Sequence, residues 1–158
     1  MKRVMAILLT TVIIAILTAC SSGGAAPAEP VKEGVAVYDK TQIEILDAEF
    51  TDKYKDINDA EGMPAIMVRF HFKNDGTEPL YAFESFGIDA YQDGIELDFI
   101  SLNDNVHEEA HNVIRGVKDG AEFDFMMAFA TKSDSPVEVR ITEPTAEAKE
   151  LLTETFEK

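Results

Sequence analysis

From Val35 onward apolar and polar residues alternate, the period expected of strands that bury one face. In "AIMVRFHFK", Ile66, Val68, Phe70 and Phe72 fall on one side and Met67, Arg69, His71 and Lys73 on the other. Phe123, Phe125, Met127 and Phe129 form a second apolar face, and Val137, Val139 and Ile141 a third. "SFGIDAYQDGIELDFI" reads as a hairpin about Asp93-Gly94, because a two-residue primed turn needs positive φ at both positions and Asp-Gly tolerates it. "QIEILDAEF" begins with Ile43 and Ile45 and then changes parity to Leu46, Ala48 and Phe50, a slip that one bulge would produce. The turn-rich stretches "KNDGTEP", "YQDG", "GVKDG" and "TKSDSP" separate the strands. Six to seven antiparallel strands, each with one apolar face to bury, predict an all-β sandwich of two sheets spanning residues 35–144.

The two ends break this pattern. Over residues 145–158, Ala148, Leu151, Leu152 and Phe156 follow helical spacing with Pro144 suited to a first turn, which predicts a short C-terminal helix that either docks by that stripe or frays. At the other end, Lys2 and Arg3 precede an uncharged, mostly apolar run from Val4 to Leu17, too short for an ordinary membrane span and laid out as a secretory signal over residues 1–19. Its ending, "LTAC", resembles the lipobox of bacterial lipoproteins. The resemblance implies that Leu17 and Ala19 are the recognition residues and that Cys20 is lipidated, giving a protein anchored on the extracytoplasmic face of the cell membrane. Residues 20–34, with "SSGGAAPAEPVKEG", then read as a flexible tether.

Charge narrows the function further. All 30 acidic residues lie beyond the signal, whereas two of the 14 basic ones fall inside it, so the 12 that remain leave a formal charge of −18. A field of that sign repels phosphate backbones, and no basic stripe offsets it, so nucleic acid is not an expected partner. Cys20 is the only cysteine, which excludes an intrachain disulfide or a thiolate metal cluster.

One motif suggests chemistry. "NVHEEAH" contains H-E-x-x-H, which on an α-helix sets His107 and His111 on one face to grip a metal and leaves Glu108 as general base. The context argues against it: the segment lies between strands, "NVIRG" follows where the extended zinc-protease pattern needs Gly and a third His, and His71 sits upstream on a strand. These residues are expected in a loop, and no metal or other cofactor is expected; a zinc-dependent hydrolase or metal-binding protein using His107 and His111 is the alternative. Asp52, Asp56, Asp59 and Glu61 could offer hard oxygens to Ca²⁺ but lack the EF-hand spacing, and read as a solvated loop. Met63, Met67, Met126 and Met127 could suggest Cu(I) ligation, but Met127 is in register with core phenylalanines and the set reads as packing. No nucleophile elbow or phosphate loop is present.

Over residues 65–143 the chain resembles the immunoglobulin-like domain called domain of unknown function 5067, found in small lipoproteins of Gram-positive bacteria. The residues that carry the resemblance are Phe72-Lys73-Asn74, the Tyr91-Gln92-Asp93-Gly94 hairpin, the turn at Gly120 and the strand opening at Ser135-Pro136-Val137. The resemblance implies an Ig-like sandwich outside the membrane and supplies no catalytic residues. The function expected is therefore a noncatalytic module, not an enzyme, that binds an envelope or extracellular protein or peptide and meets the membrane only through its N-terminal lipid.

Overall fold

The computed structural model describes residues 34–55, 62–100 and 108–158. One sheet has five strands in the order β1 (Val35–Tyr38), β2 (Thr41–Tyr54), β3 (Met63–Asn74), β9 (Glu122–Ala130) and β7 (Phe99–Ile100). The other has four: β11 (Glu150–Phe156), β10 (Val137–Thr142), β5 (Gly87–Gln92) and β6 (Ile95–Glu96). A two-stranded ribbon, β4 (Leu80–Tyr81) with β8 (Gly116–Val117), closes one end beside a single-turn helix, α1 (Ala82–Ser85). Every pairing is antiparallel. This is the sandwich that the alternation predicts, and among the described residues seven strands have four or more residues.

The core lies between the sheets and is made by the predicted faces. Ile66, Val68, Phe70 and Phe72 from β3 and Phe125 and Phe129 from β9 meet Val137, Val139 and Ile141 from β10, all out of contact with solvent or nearly so. Phe70 stacks on Phe125 with centroids 5.0 Å apart, and Phe72 meets Phe86 edge-on at 6.3 Å. Burying each such ring stabilises the fold by about 3 kcal/mol before entropy is counted.

The parity change in β2 is a bulge. Ile45 pairs with Phe70 and Asp47 with Arg69, which leaves Leu46 without a cross-strand partner. Ala48 and Phe50 pack on the core as predicted, whereas Leu46, the extra residue, points away and is 39 % exposed. The Asp93-Gly94 turn also forms as expected, with φ of 54° and 77°, and it sets Gln92 opposite Ile95.

The C-terminal helix expected over residues 145–158 does not form; that segment turns and becomes β11, so the sandwich runs through Phe156. Leu152 and Phe156 are four apart, a spacing that serves one helical face and one strand face equally. Two facts favour the strand: β10 offers a whole edge of backbone partners, and Thr153 and Thr155 are β-branched. A helix this short has no comparable reward. In the strand Leu152 and Phe156 lie opposite Ile141 and Val137 and pack on the core.

Candidate functional site

Cys20, Leu17 and Ala19 lie outside the described residues, as do His107, Asp56, Asp59 and Glu61. His111 falls in a 3₁₀ helix, Glu108–Ile114, where a loop was expected. A 3₁₀ helix has three residues per turn, so Glu108–Ile114 lacks the α-helical backbone that H-E-x-x-H presumes. The helix has a structural job. It packs along β9, Asn112 Nδ2 donates to the Asp124 carbonyl at 2.8 Å, and Val113 packs on the core. The segment thereby covers the β9 edge where β7 does not reach. Among the described residues no three His, Cys, Asp or Glu side chains are placed to hold one metal ion.

The other candidates are dispersed. Asp52 lies near the end of β2, its Oδ1 3.7 Å from Lys158 Nζ. Met127 is in the inner core as expected, whereas Met67 and Met126 are buried on the outer face of the five-stranded sheet with Ala65, Ile100 and Ala128, and Met63 packs against them. His71, on the same outer face, has Nδ1 2.7 Å from Asp124 Oδ1 and Nε2 3.7 Å from Glu122.

Two residues organise the loops, and their roles went unread in the sequence. Asn74, fully buried, donates from Nδ2 to the carbonyls of Glu78 and Val117 and accepts from the Gly76 N–H at Oδ1, while its backbone bonds Ala121 and Gly120. Gln92 accepts from the Lys132 and Ser133 N–H groups and donates to the carbonyls of Ser133 and Ser135. Parity is the signal that could have found them. Asn74 follows Phe70 and Phe72, and Gln92 follows Ile88 and Ala90, so each is an amide at the next inward position. The resemblance noted above thus runs through groups that hold loops in place.

Accessible chemistry lies on the outer surfaces. On the four-stranded sheet an open depression of about 430 Å³ is lined by Tyr91, Pro136, Glu138, Arg140 and Thr155, among others. The Arg140 guanidinium sits 4.6 Å from the Tyr91 ring centroid, held by Glu138 at 2.6 Å and with Glu150 at 3.8 Å. Its hydrogen bond to Glu138 raises the guanidinium pKa further. Desolvation, then Asp89 and Glu96, push the Tyr91 hydroxyl up against the opposing effect of Arg140. On the five-stranded sheet Arg69 lies 3.4 Å from Asp47 and 3.8 Å from Glu109 beside a depression of about 350 Å³. At the ribbon end Tyr81 and Phe83 are 38 % and 48 % exposed with rings 5.7 Å apart.

Among the described residues no helix is long and apolar enough to cross a membrane. No curated relative matches the chain in sequence. In fold the chain is similar to a candidate lipoprotein from Staphylococcus aureus, with a TM-score of 0.61 at 14 % identity over 81 % of this chain and 90 % of that one. It is also similar to a candidate lipoprotein from Bacillus subtilis, with a TM-score of 0.55 at 16 % identity over 80 % of this chain; the match spans 39 % of that protein. The profile of the family described as Domain of unknown function (DUF5067) matches residues 19–143, and the chain belongs to that family.

Proposed function

We propose that the chain is exported, lipidated at Cys20 and held on the extracytoplasmic face of the cell membrane, where its sandwich is a noncatalytic module that binds an envelope or extracellular protein or peptide. "LTAC" behind an apolar run supports the anchor, as do fold relatives described as candidate lipoproteins of Gram-positive bacteria. The observation that carries the binding reading is the way polar groups are used. The buried amides Asn74 and Gln92 are spent on loops, while the accessible polar groups sit on open sheet faces suited to contact. With a formal charge of −18 after the signal, a basic partner is steered toward the module and nucleic acid is repelled.

The test captures envelope and secreted proteins on the purified full chain at low and high salt, while the same sample is assayed for bound zinc and for hydrolase turnover. A specific, salt-sensitive partner is the expected result. Stoichiometric zinc together with turnover, both lost in a His107→Ala, His111→Ala double variant, would replace the binding module with the metal-dependent alternative.

A further inference from the structure

We infer that the free edge of β11 is the docking site, and that its occupant is an extended, basic segment of a partner protein added as a fifth strand to the four-stranded sheet. The inference rests on the binding-module reading and gives it a surface and a ligand chemistry.

β11 is hydrogen-bonded on one side, to β10, and no described strand pairs with its other side. The other sheet borders among the described residues are shorter or interrupted, the outer strand β1 having four residues. β6 and β7 have two residues each, the 3₁₀ helix covers β9, and β2 beyond β1 is broken by the Leu46 bulge and by a second irregularity between Thr51 and Tyr54. Residues 152–156 of β11 continue in unbroken register against β10, a regular ladder about 17 Å long that no described strand extends on its outward side.

The edge carries an unusual residue. Glu154 lies opposite Val139 on the core-facing side, between Leu152 and Phe156, both of which pack on the core. An inward-pointing charge is a known guard against edge-to-edge association. Here it also selects a partner. No ion pair forms at Glu154 among the described residues, and its carboxylate lies at the mouth between the sheets, 3.9 Å from where a Cβ on Gly34 would stand. Burial first, then the charge of Glu44, hold its pKa above the ordinary glutamate range, as expected of a carboxylate short of positive charge. A Lys or Arg on an added strand supplies that charge. A second copy of this chain is a poor source of it, since self-pairing of β11 would bring together two strongly acidic bodies.

The outer face explains how such a strand could be selected. Side chains alternate across a strand, so residues of the added segment that do not face Glu154 emerge beside Thr153 and Thr155, next to the depression formed with Glu138, Arg140 and Tyr91. Backbone bonds to β11 then give affinity and the depression reads alternate side chains, the division of labour seen in strand-addition recognition.

The probe is an alternating Lys–Val heptapeptide added to the full chain in detergent, with an alternating Glu–Val peptide and an alternately N-methylated Lys–Val peptide as controls. Slowed amide exchange at residues 152–156 is expected, with affinity falling about fivefold in Glu154→Gln, falling further with salt, and lost on N-methylation or with the acidic peptide. N-methylation removes the peptide's donors without altering the protein, so this arm does not depend on a variant that folds poorly. Absence of binding, binding that leaves β11 exchange unchanged, or protection of β11 caused by dimerisation of the chain alone would each overturn the inference. If the envelope partner is still captured by Glu154→Gln and in the presence of the Lys–Val peptide, the binding module stands and only its location at β11 falls.

Discussion

Asn74 sits where β3 ends, at a position whose parity belongs to the core, and its amide ties the loop that follows β3, at Gly76 and Glu78, to Val117 of β8. Truncating it removes the partners of the buried Gly76 N–H and Val117 carbonyl, at about 1–3 kcal/mol each, and frees the Glu78 carbonyl, whose residue is exposed. Asn74→Ala should therefore lower the urea midpoint by an amount equivalent to at least about 2 kcal/mol, with the denaturant slope unchanged. Gln92→Ala breaks four bonds to the segment between β9 and β10, so its first sign should be faster amide exchange at residues 131–136. A Gln92→Ala variant whose exchange rises only at distant strands would refute this local role. These residues also show why a fold signature can be mistaken for a functional one: polar side chains in a matched motif invite a chemical reading, and only their burial and partners show where they are spent.

Whole elements were legible in proportion to how far their period decided between alternatives. The alternating faces of β3, β9 and β10, the Asp93-Gly94 hairpin and the β2 bulge each admit one reading, because a single register slip would turn Phe70 or Phe125 to solvent. β11 was not legible: Leu152 and Phe156 satisfy both periods, and the edge of β10 that decides between them is a tertiary fact. The segment after His107 was expected as a loop and instead forms a 3₁₀ turn over Glu108–Ile114, which carries no period long enough to announce itself. Two predictions belong at this scale. Ending the chain after Pro144 would leave a bare helix's host intact but deprives the sandwich of Leu151, Leu152 and Phe156; that loss is about 3–5 kcal/mol, and the shortened protein should aggregate or unfold well below the full chain's Tm. Glu154 is the second case. Its pKa is raised by folding, so the folded state binds the extra proton and ionisation costs stability as pH rises through the folded pKa. Glu154→Gln should accordingly be more stable than the parent at pH 7, and the gap should close as pH falls below the ordinary glutamate range. A gap that widens on acidification would mean that Glu154 is stabilised as a carboxylate.

Over the whole molecule the opposing facts are an acidic body and the membrane to which the proposed anchor ties it. Anionic headgroups repel a chain whose mature part carries a formal charge of −18, so surface attraction does not hold it at the bilayer. An acyl anchor at Cys20 does not need that attraction, because each buried CH₂ contributes about 0.8 kcal/mol and two or more chains make retention stable. A linker of 14 residues, like the stretch from Cys20 to Glu33, spans on the order of 20 Å if it behaves as a flexible coil. Cys20→Ala should then abolish incorporation of a clickable fatty acid and move the protein from the membrane fraction to precursor or culture medium. High salt should leave the parent in the membrane fraction, since its retention is hydrophobic. Release of the parent by salt, or unchanged lipid labelling of Cys20→Ala, would show that something other than this cysteine fixes it to the cell.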